Sequence, residues 1–471
     1  MAFYKYFYDL ASSTSYTTHT VGSFDNNSTT GGGNFRWVSN TSNVGIADIA
    51  GIRIKPTGST VGYWLRDFTG PMNLGWFGCQ NTDSTPSTFS QLGVSQTTLD
   101  SRYGTSFATT SDCYDTTAIR YAFNLMNTIG YQSLVFEPKK YWLNRECILP
   151  TSISTTPTNI GQFVIDGNGA TILKAGSNVF DYFSRIPSSQ TEASTTYINN
   201  SFVIKNFNAN GTGGIWQNSG YSFLFLGATT NSVIENINLT NFDLGLRLEY
   251  CVNANVKNIN TYNIKTESVG IRNGSWTSAV PTNSGSDNST VEKLVVTDTL
   301  SQPICLHIAS DNVTTNQVNI QGAGNPCIGI FVDSISNIST CRIMNTVLNV
   351  VFASGSPSAD YGAGVLVSEA TDSGGRFVID GILAKQATVL AGATSTTNQP
   401  DVYLANVGTW PAGSTLASTG DSTWDLYNVR FGSSISTAAD VIDPGNNLWE
   451  IYGAAAIPLI GNVRYTSPIV P

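Results

Sequence analysis

Two classes of short Val/Ile-rich segment recur through the middle of this chain, and their repetition constrains the fold more than any other feature. One class reads Phe202-Val203-Ile204-Lys205-Asn206-Phe207, Val233-Ile234-Glu235-Asn236-Ile237, Val256-Lys257-Asn258-Ile259 and Val291-Glu292-Lys293-Leu294. The other reads Gly245-Leu246-Arg247-Leu248, Gly270-Ile271-Arg272, Cys305-Leu306-His307-Ile308 and Gly329-Ile330-Phe331-Val332. Matched by motif, Arg247, Arg272, His307 and Phe331 stand 25, 35 and 24 residues apart. Repeats of roughly 20 to 35 residues, each forming one coil, mark a solenoid. One coil cannot bury its own inner face, whereas stacked coils bury a continuous column of Val, Ile, Leu and Phe. Asn and Gly fit the corners, where the backbone turns through positive φ. The expected fold is all-β, a parallel β-helix. A β-sandwich would need adjacent hairpin pairs, but the second class recurs once per repeat.

Composition narrows the function classes. Of 471 residues, 12% are charged and 41% hydrophobic, which is neither apolar-poor nor charge-rich as disordered chains are. The formal charge of −9 opposes a phosphate backbone and no Lys/Arg cluster offsets it, so no nucleic-acid partner is expected. No stretch is apolar for long enough to span a bilayer, and Met1 to Leu10 lacks the pattern of a signal peptide. The seven cysteines are odd in number and none pair at C-x-x-C spacing, so a disulfide framework or metal site is not expected. They read as small hydrophobes folded in a reducing cytoplasm. No cofactor is expected.

Three parts are expected along the chain. Residues 1–75 are rich in Gly, Ser, Thr and Asn around short β-like runs at Asn34 to Val38, Gly51 to Lys55 and Gly62 to Asp67, and read as an attachment arm or a small β domain. His19, in this polar stretch, reads as a solvated loop residue. Residues 76–398 read as the β-helix, with Thr82 to Ser111 as a long loop. A helix is expected from Asp115 to Thr128, with Asp115 as its cap and Gly130 ending it. Residues 399–471, where aromatics such as Trp424 and Trp449 enter and the repeat fades, read as a β-rich cap or trimerisation segment.

Four short motifs then follow in order. Trp76-Phe77-Gly78, Asp115-Thr116-Thr117-Ala118-Ile119, Val135-Phe136-Glu137-Pro138 with Tyr141, and Ile165-Asp166-Gly167-Asn168-Gly169-Ala170-Thr171-Ile172 resemble the opening of the pectate-lyase-like right-handed parallel β-helix found in phage tailspike and tail-fibre proteins. Phe35-Arg36-Trp37 and Gly62 to Arg66 are similar to the linker preceding those β-helices. The resemblance covers about a third of the chain. It implies a homotrimeric virion appendage, synthesised in the host cytoplasm. Its N-terminal segment would join other tail proteins and its β-helix would recognise host cell-surface polysaccharide. A polysaccharide depolymerase, glycosidase or lyase, on the same scaffold is the alternative, and a purely structural virion part a second. The chain carries no visible catalytic motif, so the expectation leans against an enzyme.

Strand alternation suggests where a ligand would sit. If Leu246, Ile271, Leu306 and Ile330 point inward, Arg247, Arg272, His307 and Phe331 form one outward row, expected to contact glycan or a neighbouring subunit. Glu249, Asp311 and Asp333 would share that face. Asp311 and Asp333, on adjacent coils, are the carboxylates whose separation could suit a glycosidase, with Glu249 as a further candidate.

Overall fold

The computed structural model describes residues 2–13, 17–40, 42–45, 47–105, 107–150, 162–176, 178, 180–185, 201–211, 222–272, 286–297, 304–332 and 340–351. Of 322–326, 348–351 and the strands beyond 365, the backbone alone is described. The chain divides into two units. One comprises Met1–Ile153, Gly161–Arg185 and Val203–Trp216, and the other holds most of the remainder.

The first unit opens with a five-stranded sheet. β1 (Ala2–Tyr6) runs parallel to β2 (His19–Ser23), while β3 (Gly31–Val38), β5 (Tyr63–Arg66) and β4 (Arg53–Ile54) continue it antiparallel. Phe7, Leu10, Val21, Phe24, Phe35 and Trp64 are buried beneath it. The glycines have a packing reason. Buried Arg66 donates to the carbonyls of Gly31, Gly32 and Gly51, and a Cβ at Gly33 would fall 2.3 Å from its Nη1. His19 is not solvated. It is fully buried, with Nε2 3.0 Å from Ser13 Oγ and its ring against Trp64 at 4.3 Å, because the aromatic core closes around it.

Two helices cover this unit. α1 (Gln96–Tyr103), capped by Ser95, lies inside the stretch expected to be a loop. Its apolar contribution is Leu99 and Tyr103 alone, too short a stripe to betray a helix in sequence. α2 (Tyr114–Thr128) is the expected helix, but Cys113 is its N-cap residue. Asp115 sits in the first turn and instead accepts backbone N–H groups from Gln80 at 2.8 Å, Asn81 at 3.4 Å and Trp142 at 3.0 Å. Burial pushes its carboxyl up to about 6 despite these donors. Parallel coil strands follow: β6 (Met72–Asn73) pairs with β7 (Ser133–Val135), β7 and β8 (Lys140–Leu143) with β10 (Gln162–Lys174), and β9 (Cys147–Ile148) with β11 (Phe183–Arg185). β12 (Ser201–Asn210) completes this series.

The second unit is made of stacked parallel coils, as expected for a right-handed parallel β-helix. One stack holds β13 (Ser222–Thr230), β15 (Leu244–Val252), β17 (Glu267–Arg272), β19 (Ile304–Ala309) and β22 (Ile328–Val332). The other holds β14 (Val233–Thr240), β16 (Asn255–Tyr262), β18 (Thr290–Thr297), β20 (Thr314–Asn316) with β21 (Asn319–Pro326), and β23 (Thr340–Val351). Asn231, Asn253, Asn288 and Asn312 take positive φ in one column of corners, and Asn236 and Asn258 in another. Their amides bond upward: Asn253 to Asn231 at 3.1 Å and Asn258 to Asn236 at 2.9 Å. All seven cysteines are free and buried.

The repeat does not stop where the sequence texture changes. β24 (Val365–Ser368), β26 (Val389–Gly392), β28 (Leu416–Thr419) and β30 (Val441–Ile442) extend the first stack. β25 (Arg376–Gln386), β27 (Asp401–Ala405), β29 (Thr423–Tyr427), β31 (Leu448–Tyr452) and β32 (Val463–Tyr465) extend the second. Trp424 pairs with Trp449 and Tyr427 with Tyr452. Trp424 thus takes the register position that Val402 holds one coil earlier, which helps hide the repeat from a Val/Ile pattern.

Candidate functional site

The outer face of the first stack carries the charge. Leu246 and Leu248, Val269 and Ile271, Leu306 and Ile308, and Ile330 and Val332 are all 0% exposed and form the inner column. The residues alternating with them face outward. Register pairs Phe225 with Arg247, Arg247 with Gly270, Gly270 with His307, and His307 with Phe331. An adjoining row holds Gly227, Glu249, Arg272 and Ala309.

Three of the four residues expected in one row therefore share it, and Arg272 lies one row over, beside Glu249. Motif matching aligned Arg272 with Arg247, 25 residues on, but the coil brings Gly270 there, 23 residues on. The preceding step has nearly the same length: Phe225 and Arg247, like the corner asparagines Asn231 and Asn253, are 22 residues apart. A two-residue slip preserves the face of a strand, so Arg272 still points outward.

Gly270 leaves a gap in the row, and Glu267 fills it. A Cβ at Gly270 would lie 2.0 Å from Glu267 Oε1. From that place Glu267 Oε2 meets His307 Nδ1 at 3.0 Å and also pairs with Arg272 Nη2. Burial raises the pKa of this carboxyl. The His307 hydrogen bond and charge, with the Arg272 charge, more than offset that, and hold the pKa below the ordinary glutamate value. One coil away, Arg247 Nη2 pairs with Glu249 Oε1 at 2.5 Å and its guanidinium covers the Phe225 ring at 4.9 Å. At the other end the His307 and Phe331 rings meet at 4.8 Å. Glu249 and Glu267 are 0% and 1% exposed, while the Arg247 and Arg272 side chains keep 21% and 25%.

This arrangement pairs two partly exposed guanidinium groups with buried carboxylates, in a row that also carries the Phe225 and Phe331 rings. Fixed Arg forks donate hydrogen bonds to oxygen acceptors in set directions. Glu267 and Phe225 escaped the sequence reading. The signals were an acidic residue three before a strand glycine, and a Phe in register with Arg247.

The other expected carboxylates stand differently. Asp311 follows β19 in a turn, where its N–H donates to Asp287 Oδ1 at 2.9 Å and its carbonyl accepts from the N–H of corner residue Asn288. It is a corner residue and not part of the strand row. Asp333 lies outside the described residues. Among the described residues no group of three or more His, Cys, Asp or Glu is placed to hold a metal ion, and no helix is long and apolar enough to cross a membrane. In the first unit a separate cavity of about 500 Å³ is lined by Phe7, Tyr8, Arg53, Lys55 and Arg102, among others.

No protein-family model and no curated protein matches the chain. Among solved structures it is similar to the enzymatically active domain of tailspike protein 2 of bacteriophage CBA120, at 12% identity and a TM-score of 0.45, over 95% of this chain and 56% of that one. It is similar also to the tailspike protein of Acinetobacter baumannii phage AM24, at 14% identity and a TM-score of 0.48, over 91% and 65%. A third is Pantoea stewartii WceF, described as a glycan biofilm modifying enzyme with a tailspike-like parallel β-helix fold, at 12% identity and a TM-score of 0.43, over 88% and 48%. The chain thus spans about half to two thirds of the length of these structures.

Proposed function

We propose that this chain is a phage virion appendage that recognises a host-surface polysaccharide through the outer face of its first stack. The observation that carries the reading is the row itself: Phe225, Arg247, Gly270, His307 and Phe331 in register, with Arg272 beside it and buried Glu249 and Glu267 behind. An extended polymer can lie along such a row, with sugar C–H faces on the rings and hydroxyl oxygens on the guanidinium donors. The virion placement is supported by the ordered motif block from Trp76 to Ile172. Attachment to other tail proteins is assigned to residues 1–75, where Phe3 is 70% exposed on β1. A homotrimer suits the function, because three weak sites multiply into high avidity without new contacts.

One observation favours cleavage as a second reading. Glu249 and Glu267 are two buried carboxylates on adjacent coils, though register sets Glu249 opposite Arg272 and Glu267 opposite Leu244, and a pair of carboxylates is what a glycosidase uses. One experiment separates the two. Purified protein is incubated with host surface polysaccharide, and both retention and fragment size are measured. Retention with unchanged chain length is expected. Shortened chains would establish the depolymerase, and no retention would remove both.

A further inference from the structure

We infer that the polysaccharide taken by this row is a neutral one; the inference rests on the glycan-binding reading above. Two arginines would ordinarily suggest a uronate or another acidic sugar as ligand. Here each arginine is already matched. Arg247 is paired with Glu249, and Arg272 with Glu267, whose same oxygen also receives His307. The two guanidinium charges are balanced by two carboxylates held behind them at 0% and 1% exposure.

Buried carboxylates are poorly screened by salt, so an incoming sugar carboxylate would meet their repulsion together with the arginines' attraction. A hydroxyl meets no such opposition. It accepts from the Arg272 N–H groups that Glu267 leaves over, and the paired geometry has already fixed their direction. Phe331, at one end of the row, adds an apolar ring against which a neutral sugar C–H surface can pack. Specificity for hydroxyls over carboxylates is then built by charge placed behind the donors, and like charge set against the wrong ligand is a common route to discrimination.

Gly270 is what makes this possible at the Arg272 end. Any side chain there would contest the space of the Glu267 carboxylate, since even a Cβ lies 2.0 Å from Oε1. Glu267→Gln and Glu249→Gln each remove one of the two carboxylate charges. Each should leave one guanidinium charge unmatched, to attract anions.

The test is an array of defined neutral and uronate- or sialate-bearing glycans, probed with the full chain at low and high salt. The parent is expected to bind neutral glycans, with Kd changing by less than about twofold as screening increases. Preference for acidic glycans, with Kd rising about tenfold or more at high salt, would overturn the inference and leave the glycan-binding reading standing. Binding to neither class would overturn that reading, and the inference with it. Glu267→Gln and Glu249→Gln should each gain binding to acidic members of the array. Should one of them fail to fold, the other decides alone, because each removes one of the two paired charges; unchanged preference in the folded variant contradicts the proposal.

Discussion

With no side chain at Gly270, the Glu267 carboxylate settles between Arg272 and His307, and this has a consequence for acid stability. Its folded pKa lies below the ordinary value of 4.5, so the folded state binds fewer protons there than the unfolded chain. The stabilisation is fully present above about pH 4.5 and is lost as pH falls through the lowered pKa. Urea midpoints measured from about pH 6 down to about pH 3 should fall less steeply for Glu267→Gln than for the parent. At neutral pH that variant should be less stable by roughly 1–3 kcal/mol, the worth of a hydrogen bond to a charged group. An acid limb identical to the parent's would mean that Glu267 is not held by its partners. Residue faces were readable from sequence because alternation fixes them: Arg247, His307 and Phe331 fall in one row. The row of Arg272 was not, because two residues of slip leave the face intact. Glu267 was hidden for a related reason: it lies two residues before inward Val269 and would count as inward by alternation, yet at the start of β17 its carboxylate reaches the outer face.

The N-terminal sheet and the capping helices behave as one element. Asp25 accepts from Arg102 of α1 and, at 2.6 Å, from the Tyr114 hydroxyl of α2. The backbone N–H of Ala50 donates to the Tyr121 hydroxyl at 3.2 Å, and the Phe24 and Tyr103 rings stack at 5.9 Å. Removing the residues before Met72 should therefore uncover these rings and yield aggregated protein or a clearly lowered Tm by circular dichroism. A soluble truncation with the parent's Tm would contradict the shared core. Attachment is better probed by Phe3→Ser, which touches an exposed side chain and should reduce incorporation into particles while leaving Tm unchanged; full incorporation would place the attachment surface elsewhere. The corners invite a matched pair of substitutions. Asn258→Ala should cost roughly 1–2 kcal/mol, since Ala resists the left-handed region that Asn258 occupies, and Asn258→Gly should cost less. Equal losses by denaturant titration would show that the amide bond to Asn236, and not the backbone, dominates. The corner asparagines and α2 were legible because each obeys a local rule. α1 and the strands after Gln399 were not, since one has too few apolar residues and the others mix aromatics such as Trp424, Tyr427 and Trp449 among their Val and Ile.

At the scale of the whole molecule, the repeat period made the parallel coils readable, because a solenoid writes its register into sequence once per turn. Assembly leaves no such local mark. The trimer proposed for this chain should appear in light scattering at micromolar concentration as about three times the 50.3 kDa of one chain; a monomer mass would contradict it. The claim on which the rest depends is that the outer face of the first stack, and no other face, holds the polysaccharide. Its most direct test is equilibrium binding of host surface polysaccharide to the parent, to Arg272→Ala, and to Lys257→Ala, which alters the outward Glu235–Lys257–Glu292 row of the other stack. Arg272→Ala should weaken binding about tenfold or more with the fold intact, the cost of one fixed charged hydrogen bond, while Lys257→Ala should bind as the parent does. Undiminished binding by a folded Arg272→Ala, or an equal loss in Lys257→Ala, would contradict that claim.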